Sequence, residues 1–172
     1  MTAEQIFKAL SEQFPDAKID FVEAAKLPVT HVTSGDSSII VPAEKIIEIG
    51  KFLKSKTGLD FDCLSSLTAV DKKETLEVVY HLFSYRQKHS VTLKAVLARN
   101  EDVHIHTVEE IWATANWLER EVYDLFGIKF DGHTDLRRIM LPDDWKGHPL
   151  RKDYKEEEDY HGISTTRASL LQ

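Results

Sequence analysis

Apolar residues along this chain keep a helical rhythm, switch to a strand rhythm and back, and then lose all rhythm in the last quarter. Near the start Ile6, Phe7, Leu10 and Phe14 recur at helical spacing, with Thr2 and Gln5 placed to form a capping box ahead of them. That pattern predicts an amphipathic helix ending near Pro15. From Pro28 to Val41 two β-branched runs, VTHVT and SSIIV, flank Ser-Gly-Asp, which predicts a hairpin. Pro42 then opens AEKIIEIGKFLKSKTG, where Ile46, Ile49, Gly50 and Leu53 share one helical face and Gly58 stands where a left-handed cap is wanted. A glycine on that face predicts a close backbone approach to another element.

Three longer strands are predicted next: FDCLSSLTAV (61–70), LEVVYHLFSY (76–85) and SVTLKAVLAR (90–99). The short polar joins at 71–74 and 86–89 make antiparallel pairing of neighbours the expectation. VVYHLF in the middle strand is apolar at successive positions, so both of its faces are expected to be covered, one of them by helices. Thr107 and Glu110 form a second capping-box pattern, followed by Ile111, Ala115, Leu118, Val122 and Leu125 at steps of four and three, and Gly127 ends this third helix. The expected fold is α+β: a mostly antiparallel sheet with helices packed on it, followed by a long irregular C-terminal extension.

The division expected from this pattern is an α+β domain over residues 1–126 and an extended segment over 127–172 that packs on partner subunits. Irregular stretches longer than about 12–15 residues are uncommon inside compact domains. This one is punctuated by Gly132, Pro142, Gly147, Pro149 and Gly162, yet it carries Leu136, Ile139, Met140, Leu141, Trp145, Leu150 and Tyr154, which a disordered tail would lack. Ordering it costs roughly 1–2 kcal/mol per residue, so compensating contacts are required, and a partner surface could supply them.

Charge and composition narrow the function. A formal net charge of -7 is poorly suited to a general nucleic-acid binder, which needs a basic face to displace counterions. The N-terminal residues MTAEQIFKALSEQF mix charged and apolar positions, unlike a secretory leader, and no apolar run approaches the roughly 20 residues that span a bilayer. One cysteine, Cys63, cannot close an internal disulfide, which fits a reducing, cytoplasmic setting, and it cannot hold an iron–sulfur cluster, which normally takes four thiolates. Glycine-rich phosphate loops are missing, so no nucleotide has its usual cradle. His104 and His106 would share one strand face, but no cysteine pair or HExxH pattern accompanies them, and no metal site is assigned.

What remains is a dense set of charged and aromatic residues late in the chain. Glu119, Arg120, Glu121 and Asp124 flank the apolar stripe of the third helix and could be a solvated edge with an Arg120–Asp124 pair. Carboxylates in the last turns, however, sit at the negative end of the helix dipole and call for nearby cations. Arg137, Arg138 and Lys129 are candidates, and a guanidinium fork suits carboxylate pairing. LPDDWKGHPLRKDY (141–154) adds Trp145, His148, Arg151, Lys152 and Tyr154, of which Trp, Arg and Tyr are residue types enriched at protein interfaces. An acid/base catalytic pair is the rival, but no nucleophile or substrate fingerprint accompanies it.

These same stretches, EREVYDLFGIKFDGH (119–133), DLRRIM (135–140) and DDWKGHPLRKDY (143–154), resemble the C, or 30 kDa, subunit of proton-pumping NADH:quinone oxidoreductases. Thr134 and Lys155 depart from the family, which usually has proline at both places. The resemblance implies a cofactor-free structural subunit of the hydrophilic arm, with no catalytic, cofactor-binding or metal-binding residues of its own. The whole complex uses FMN, iron–sulfur clusters, NADH and quinone. Implied partners are the D subunit, which forms the quinone pocket, and iron–sulfur subunits; membrane association comes only through the complex, on the cytoplasmic side of the inner membrane in a bacterium. On this reading Glu119, Arg120, Glu121, Asp124, His133, Arg137, Arg138, Trp145, His148, Arg151, Lys152 and Tyr154 form an assembly network. The equivalent subunit of a membrane-bound energy-converting hydrogenase or a related oxidoreductase is the nearest alternative, and a stand-alone acid/base enzyme the more distant one.

Overall fold

The computed structural model describes residues 1–26, 33–34, 37–100 and 102–165 of the chain. Helix α1 (Ala3–Gln13) starts from Thr2, whose hydroxyl accepts from the Gln5 N–H while the Gln5 side chain accepts from the Thr2 N–H, the expected reciprocal cap. Strands β1 (Asp20–Val22), β2 (Ala25–Lys26), β3 (Thr33–Ser34) and β4 (Ser38–Val41) follow. A 3-10 turn over Ala43–Lys45 leads into helix α2 (Ile46–Ser55), and then come β5 (Cys63–Asp71), β6 (Thr75–Ser84), β7 (His89–Ala98) and β8 (His104–His106). Helix α3 (Ala115–Phe126), β9 (Lys129–Asp131), β10 (Asp159–Tyr160) and β11 (Ile163–Ser164) complete the order.

The main sheet has five strands in the order β1-β4-β7-β6-β5, antiparallel except for the parallel β4–β7 pair. This is an α+β fold with a mostly antiparallel sheet. Register places Ala69, Val78, Ala95 and Val41 in one row and Leu67, Tyr80, Leu93 and Ile39 in the next. All eight are buried, and they join Ile6 and Leu10 of α1, Ile46, Ile49 and Leu53 of α2, and Ala115, Val122 and Phe126 of α3 in one core. The helices therefore cover a single face.

Four local expectations need correction. SSIIV does form a strand, β4, but it pairs with β1 and β7; the described part of the preceding run, Thr33, pairs with Lys26 instead, and 29–32 lie outside the described residues. The second face of β6 is only partly covered: Val79 is buried, His81 and Phe83 are half-buried, and the neighbouring Val70 and Val96 are 38% and 39% exposed. Its apolar residues are shielded by side chains of adjoining strands, not by a helix layer. Gly58 has the left-handed φ of +92° but lies beyond the C-cap, Lys56. Finally, α3 begins at Ala115, not at Thr107, because the Thr107 hydroxyl accepts from the Glu109 N–H in a local turn and donates to Glu119. Residues 108–112 form a further turn, closed by the Ile111 and Trp112 N–H groups donating to the Val108 carbonyl.

That turn explains Gly50. A Cβ there would stand 2.8 Å from Ile111 Cδ1 and 3.3 Å from the Trp112 ring, which is fixed by its indole N–H donating to the Phe61 carbonyl at 2.9 Å. Gly50→Val should destabilise the chain by about 2 kcal/mol, the usual cost of overpacking a filled interior. Chemical denaturation would measure it, and Gly50→Ala should cost less because helix propensity offsets part of the crowding.

Candidate functional site

Helix α3 ends inside the protein, and its end organises the charged residues that follow. Gly127, at φ +70°, reverses the chain, and its N–H donates to the Tyr123 carbonyl. The remaining terminal carbonyls all receive donors from residues 138–151. Asp124 O accepts from His148 Nδ1 at 2.9 Å and Arg138 at 3.3 Å, Leu125 O from the Leu150 N–H at 3.1 Å, and Phe126 O from Arg151 Nε at 2.6 Å. Arg151 also reaches Gly127 O at 3.4 Å. Guanidinium groups at this pole are favoured by the helix dipole. Packing adds a steric constraint, because a Cβ on Gly127 would lie 2.5 Å from the His148 ring.

The Asp124 side chain does still more. Its Oδ1 accepts from Arg138 at 2.6 Å, and its Oδ2 accepts from the successive N–H groups of Ile139, Met140 and Leu141 at 3.0, 2.7 and 2.9 Å. Burial alone would raise its pKa, but the donors from Leu141, Met140, Arg138 and Ile139 outweigh that and hold it below the ordinary aspartate value. A solvated helix edge is therefore ruled out for three of the four acid-region residues: Glu119 and Asp124 are fully buried and Arg120 is 3% exposed. Nor do Arg120 and Asp124 pair. Arg120 lies over the Trp117 ring at 4.7 Å, donates to Arg137 O and stands 3.8 Å from Asp135. Glu121 is exposed, and its side chain makes no hydrogen bond or ion pair among the described residues.

The other expected residues divide by direction. Arg138 turns inward to Asp124 and Gly147 O, whereas Arg137 is exposed and, among the described residues, its side chain pairs only with Asp135 of its own segment, at 3.0 Å. Lys129 pairs with Asp102, also away from the helix acids. Trp145 packs on Tyr160 with ring centroids 5.2 Å apart, and the Tyr154 ring lies against Gly147. Lys152 contributes through its backbone: its N–H donates to Asp71 Oδ2 at 2.8 Å. His133 is held with Nε2 against the Asn116 carbonyl at 3.0 Å and Nδ1 accepting from the Asp135 N–H at 3.0 Å.

Several residues that anchor this segment carried no motif. Asp71 continues the inward-facing series of Leu67 and Ala69 at the sheet corner; it accepts from Arg99 at 2.5 Å and from the Lys73 and Lys152 N–H groups. The second Arg99 nitrogen reaches Asp153, also at 2.5 Å. Burial raises Asp71, but the Lys152, Lys73 and Arg99 donors together leave it below the ordinary range. An aspartate on a core-facing strand position was the available signal. Glu109, likewise missed, binds Asn116 and both the N–H and hydroxyl of Thr134. A proline at 134, common in the resembling family, could not donate that N–H.

No group of three or more His, Cys, Asp or Glu among the described residues is placed to hold a metal ion. The arrangement is a set of polar ties that fasten residues 133–154 to α3 and the sheet corner, leaving Trp117, Met140 and Leu150 at the surface, 63%, 62% and 51% exposed.

Comparison with known proteins gives this geometry a family. Residues 39–160, from β4 to β10, match the family model described as "Respiratory-chain NADH dehydrogenase, 30 Kd subunit". The C subunit of the NADH-quinone oxidoreductase of Chloroherpeton thalassium is 41% identical over 162 residues, covering 93% of this chain and 64% of that protein. Its counterpart in Geotalea uraniireducens, also a C subunit of an NADH-quinone oxidoreductase, is 47% identical over 135 residues, covering 74% of this chain and 80% of that one. Among solved structures, a chain of the membrane-bound sulfane sulfur reductase, an archaeal respiratory membrane complex, superposes with a TM-score of 0.68 at 28% identity, covering 88% of this chain and 85% of that chain. With the match running through the sheet, α3 and the segment tied to its end, this chain belongs to the family of the 30 kDa subunit of respiratory-chain NADH dehydrogenases.

Proposed function

We propose that the chain is the C subunit of an NADH:quinone oxidoreductase, a structural and assembly component of the hydrophilic arm without a redox centre of its own. It supports electron transfer from NADH through FMN and iron–sulfur centres to quinone, coupled to proton translocation elsewhere in the complex. Its partners are the D subunit, which forms the quinone pocket, and neighbouring iron–sulfur subunits. It sits peripherally, on the cytoplasmic side of the inner membrane in a bacterium. No helix among the described residues is long and apolar enough to cross a membrane, which is consistent with that placement.

The Asp124 carboxylate, surrounded by Arg138 and three backbone N–H groups, carries this reading. It spends a buried charge on shaping residues 138–141, where a catalytic acid must come within hydrogen-bond reach of a substrate. Glu119 is equally buried. On this reading, Asp124, Arg138, His148 and Arg151 fix the course of the 127–172 extension, Glu119, Arg120 and His133 support its first turns, and Trp145, Lys152 and Tyr154 hold its later part. Glu121 and Arg137, with Trp117 and Met140, face the neighbouring subunits. A related oxidoreductase complex is the second reading, favoured by the likeness to the sulfane sulfur reductase chain.

Affinity purification of the tagged chain from gently solubilised membranes separates these readings. Recovery with flavin and iron–sulfur subunits and NADH:quinone activity supports the first; a nickel-containing large subunit or a sulfur-reducing activity supports the second; recovery alone from the soluble fraction overturns both. Arg138→Ala, which leaves Asp124 without its cation, should lower recovery of the partner subunits severalfold and cost the chain about 3 kcal/mol of stability. Arg137→Ala should leave the melting temperature unchanged while still lowering recovery. Normal recovery of both variants would refute the assembly role.

Acidification tests the same tie independently. Asp124 and Asp71 have pKa values held below 3.8 in the folded chain, so their contribution is present above that value and is lost as pH falls through the depressed folded value. Asp124→Asn should therefore destabilise strongly at pH 7, and its difference from the parent chain should shrink below pH 3.8, as read from denaturation midpoints across pH.

A further inference from the structure

Helices cover one face of the main sheet, and register lays out the other. Val70, Glu77 and Val96 form one row on it. Thr68, Val79, Lys94, Ile40 and Asp20 form the next, and Ser66, His81, Thr92, Ser38 and Val22 the third. Val22, Val70 and Val96 are 42%, 38% and 39% exposed, and Ile40 is half-buried. An antiparallel sheet face that meets only water is usually polar, whereas valine, isoleucine and threonine dominate the middle of this one. Its charges are few. Asp20 lies on the edge strand β1, and Glu77 is engaged by Lys72 at 3.9 Å.

Lys94 is the exception. It stands in the middle row on β7, the central strand of the five, with Val79 on one side and Ile40 on the other. It is half-buried, and its side chain makes no hydrogen bond or ion pair among the described residues. Lysine lays its methylene stem along apolar neighbours and keeps the ammonium in water. An apolar surface laid over this face strips that water away, and a carboxylate must then replace it. We propose that this face docks one apolar segment of a neighbouring subunit, with a carboxylate of that segment set opposite Lys94.

Size and charge select this occupant over a second copy of the chain. Five strands about 4.8 Å apart and rows about 7 Å apart give a field of roughly 20 by 14 Å. That is well under the ~800 Å² that a standard interface buries on each side, so the field suits a single segment. Two copies packed face to face about a two-fold axis would bring their Lys94 ammonium groups together, and each chain carries a formal net charge of -7. A foreign segment with one acid among apolar residues avoids both repulsions, and the ion pair fixes its register. The inference rests on the reading above that the chain works within a multisubunit oxidoreductase, and it adds a docking face on the side of the sheet opposite α3.

The test uses the membrane complex purified through the tagged chain, with the photoreactive residue benzoylphenylalanine in place of Thr68, an exposed position of the middle row. Illumination should join the chain to one co-purifying subunit, at an apolar stretch containing Asp or Glu as mapped by mass spectrometry. Lys94→Glu should lower recovery of that subunit about tenfold. The melting temperature of the isolated chain should stay nearly unchanged, because Lys94 has no ion pair to lose among the described residues. Changing the mapped carboxylate to lysine should restore recovery in the Lys94→Glu background. A cross-link to a second copy, a cross-link within the chain, no cross-link, or normal recovery with Lys94→Glu would each overturn the docking face; the assembly reading stands as long as the parent chain is recovered with its partners. Recovery of the parent chain alone overturns both.

Discussion

An α-helix that stops in the interior leaves its last carbonyls to be satisfied by whatever comes next, and here that obligation sets the course of the chain for the rest of its described length. The four carbonyls from Asp124 to Gly127 have no further helix to serve them, and each takes a donor from 138–151. Hydrogen bonds to charged partners contribute roughly 1.5–3 kcal/mol each, and leaving such a group unpaired in the interior costs at least as much. The segment is consequently held by polar geometry in a region where few of its own side chains are buried.

The same logic recurs at the sheet corner. Asp71 occupies a position that register assigns to the core, and its charge is tolerated because Arg99 and two backbone N–H groups converge on it. One of those N–H groups belongs to Lys152, and Arg99 extends the tie to Asp153. Two buried aspartates on different elements thus fix the beginning and the end of the 138–153 stretch. Arginine serves both, since its fork can hold a carboxylate and a second acceptor at once.

Most of the fold was legible because periodicity reports burial directly. The first cap, the buried face of α2, the three long strands and the stop at Gly127 all follow from local spacing. Pairing was harder to read: the parallel partner of β4 is β7, dozens of residues away, and no local pattern encodes a parallel neighbour at that separation. Thr107 misled because a capping box records which side chains could bond, while the tertiary demand of Glu119 decided which did. At the site, the dipole argument correctly asked for cations at the helix end and found Arg138. It could not distinguish Arg138 from Arg137, because direction is fixed by three backbone donors to Asp124. Asp71 and Glu109 were hidden for the same reason: each is read only once a distant segment is seen to lie on it.

The tie between Lys152 and Asp71 also has a temporal meaning. It joins residues 81 positions apart, and the ties made by Arg138 and Arg151 likewise land on α3, which precedes them in the chain. Closing so long a loop is slow, and it succeeds only after α3 and the edge of the sheet exist to receive it. On a ribosome those elements emerge first, so the core must stand for a time with the end of α3 uncapped. Docking of residues 138–153 then follows the folding of the elements that receive them.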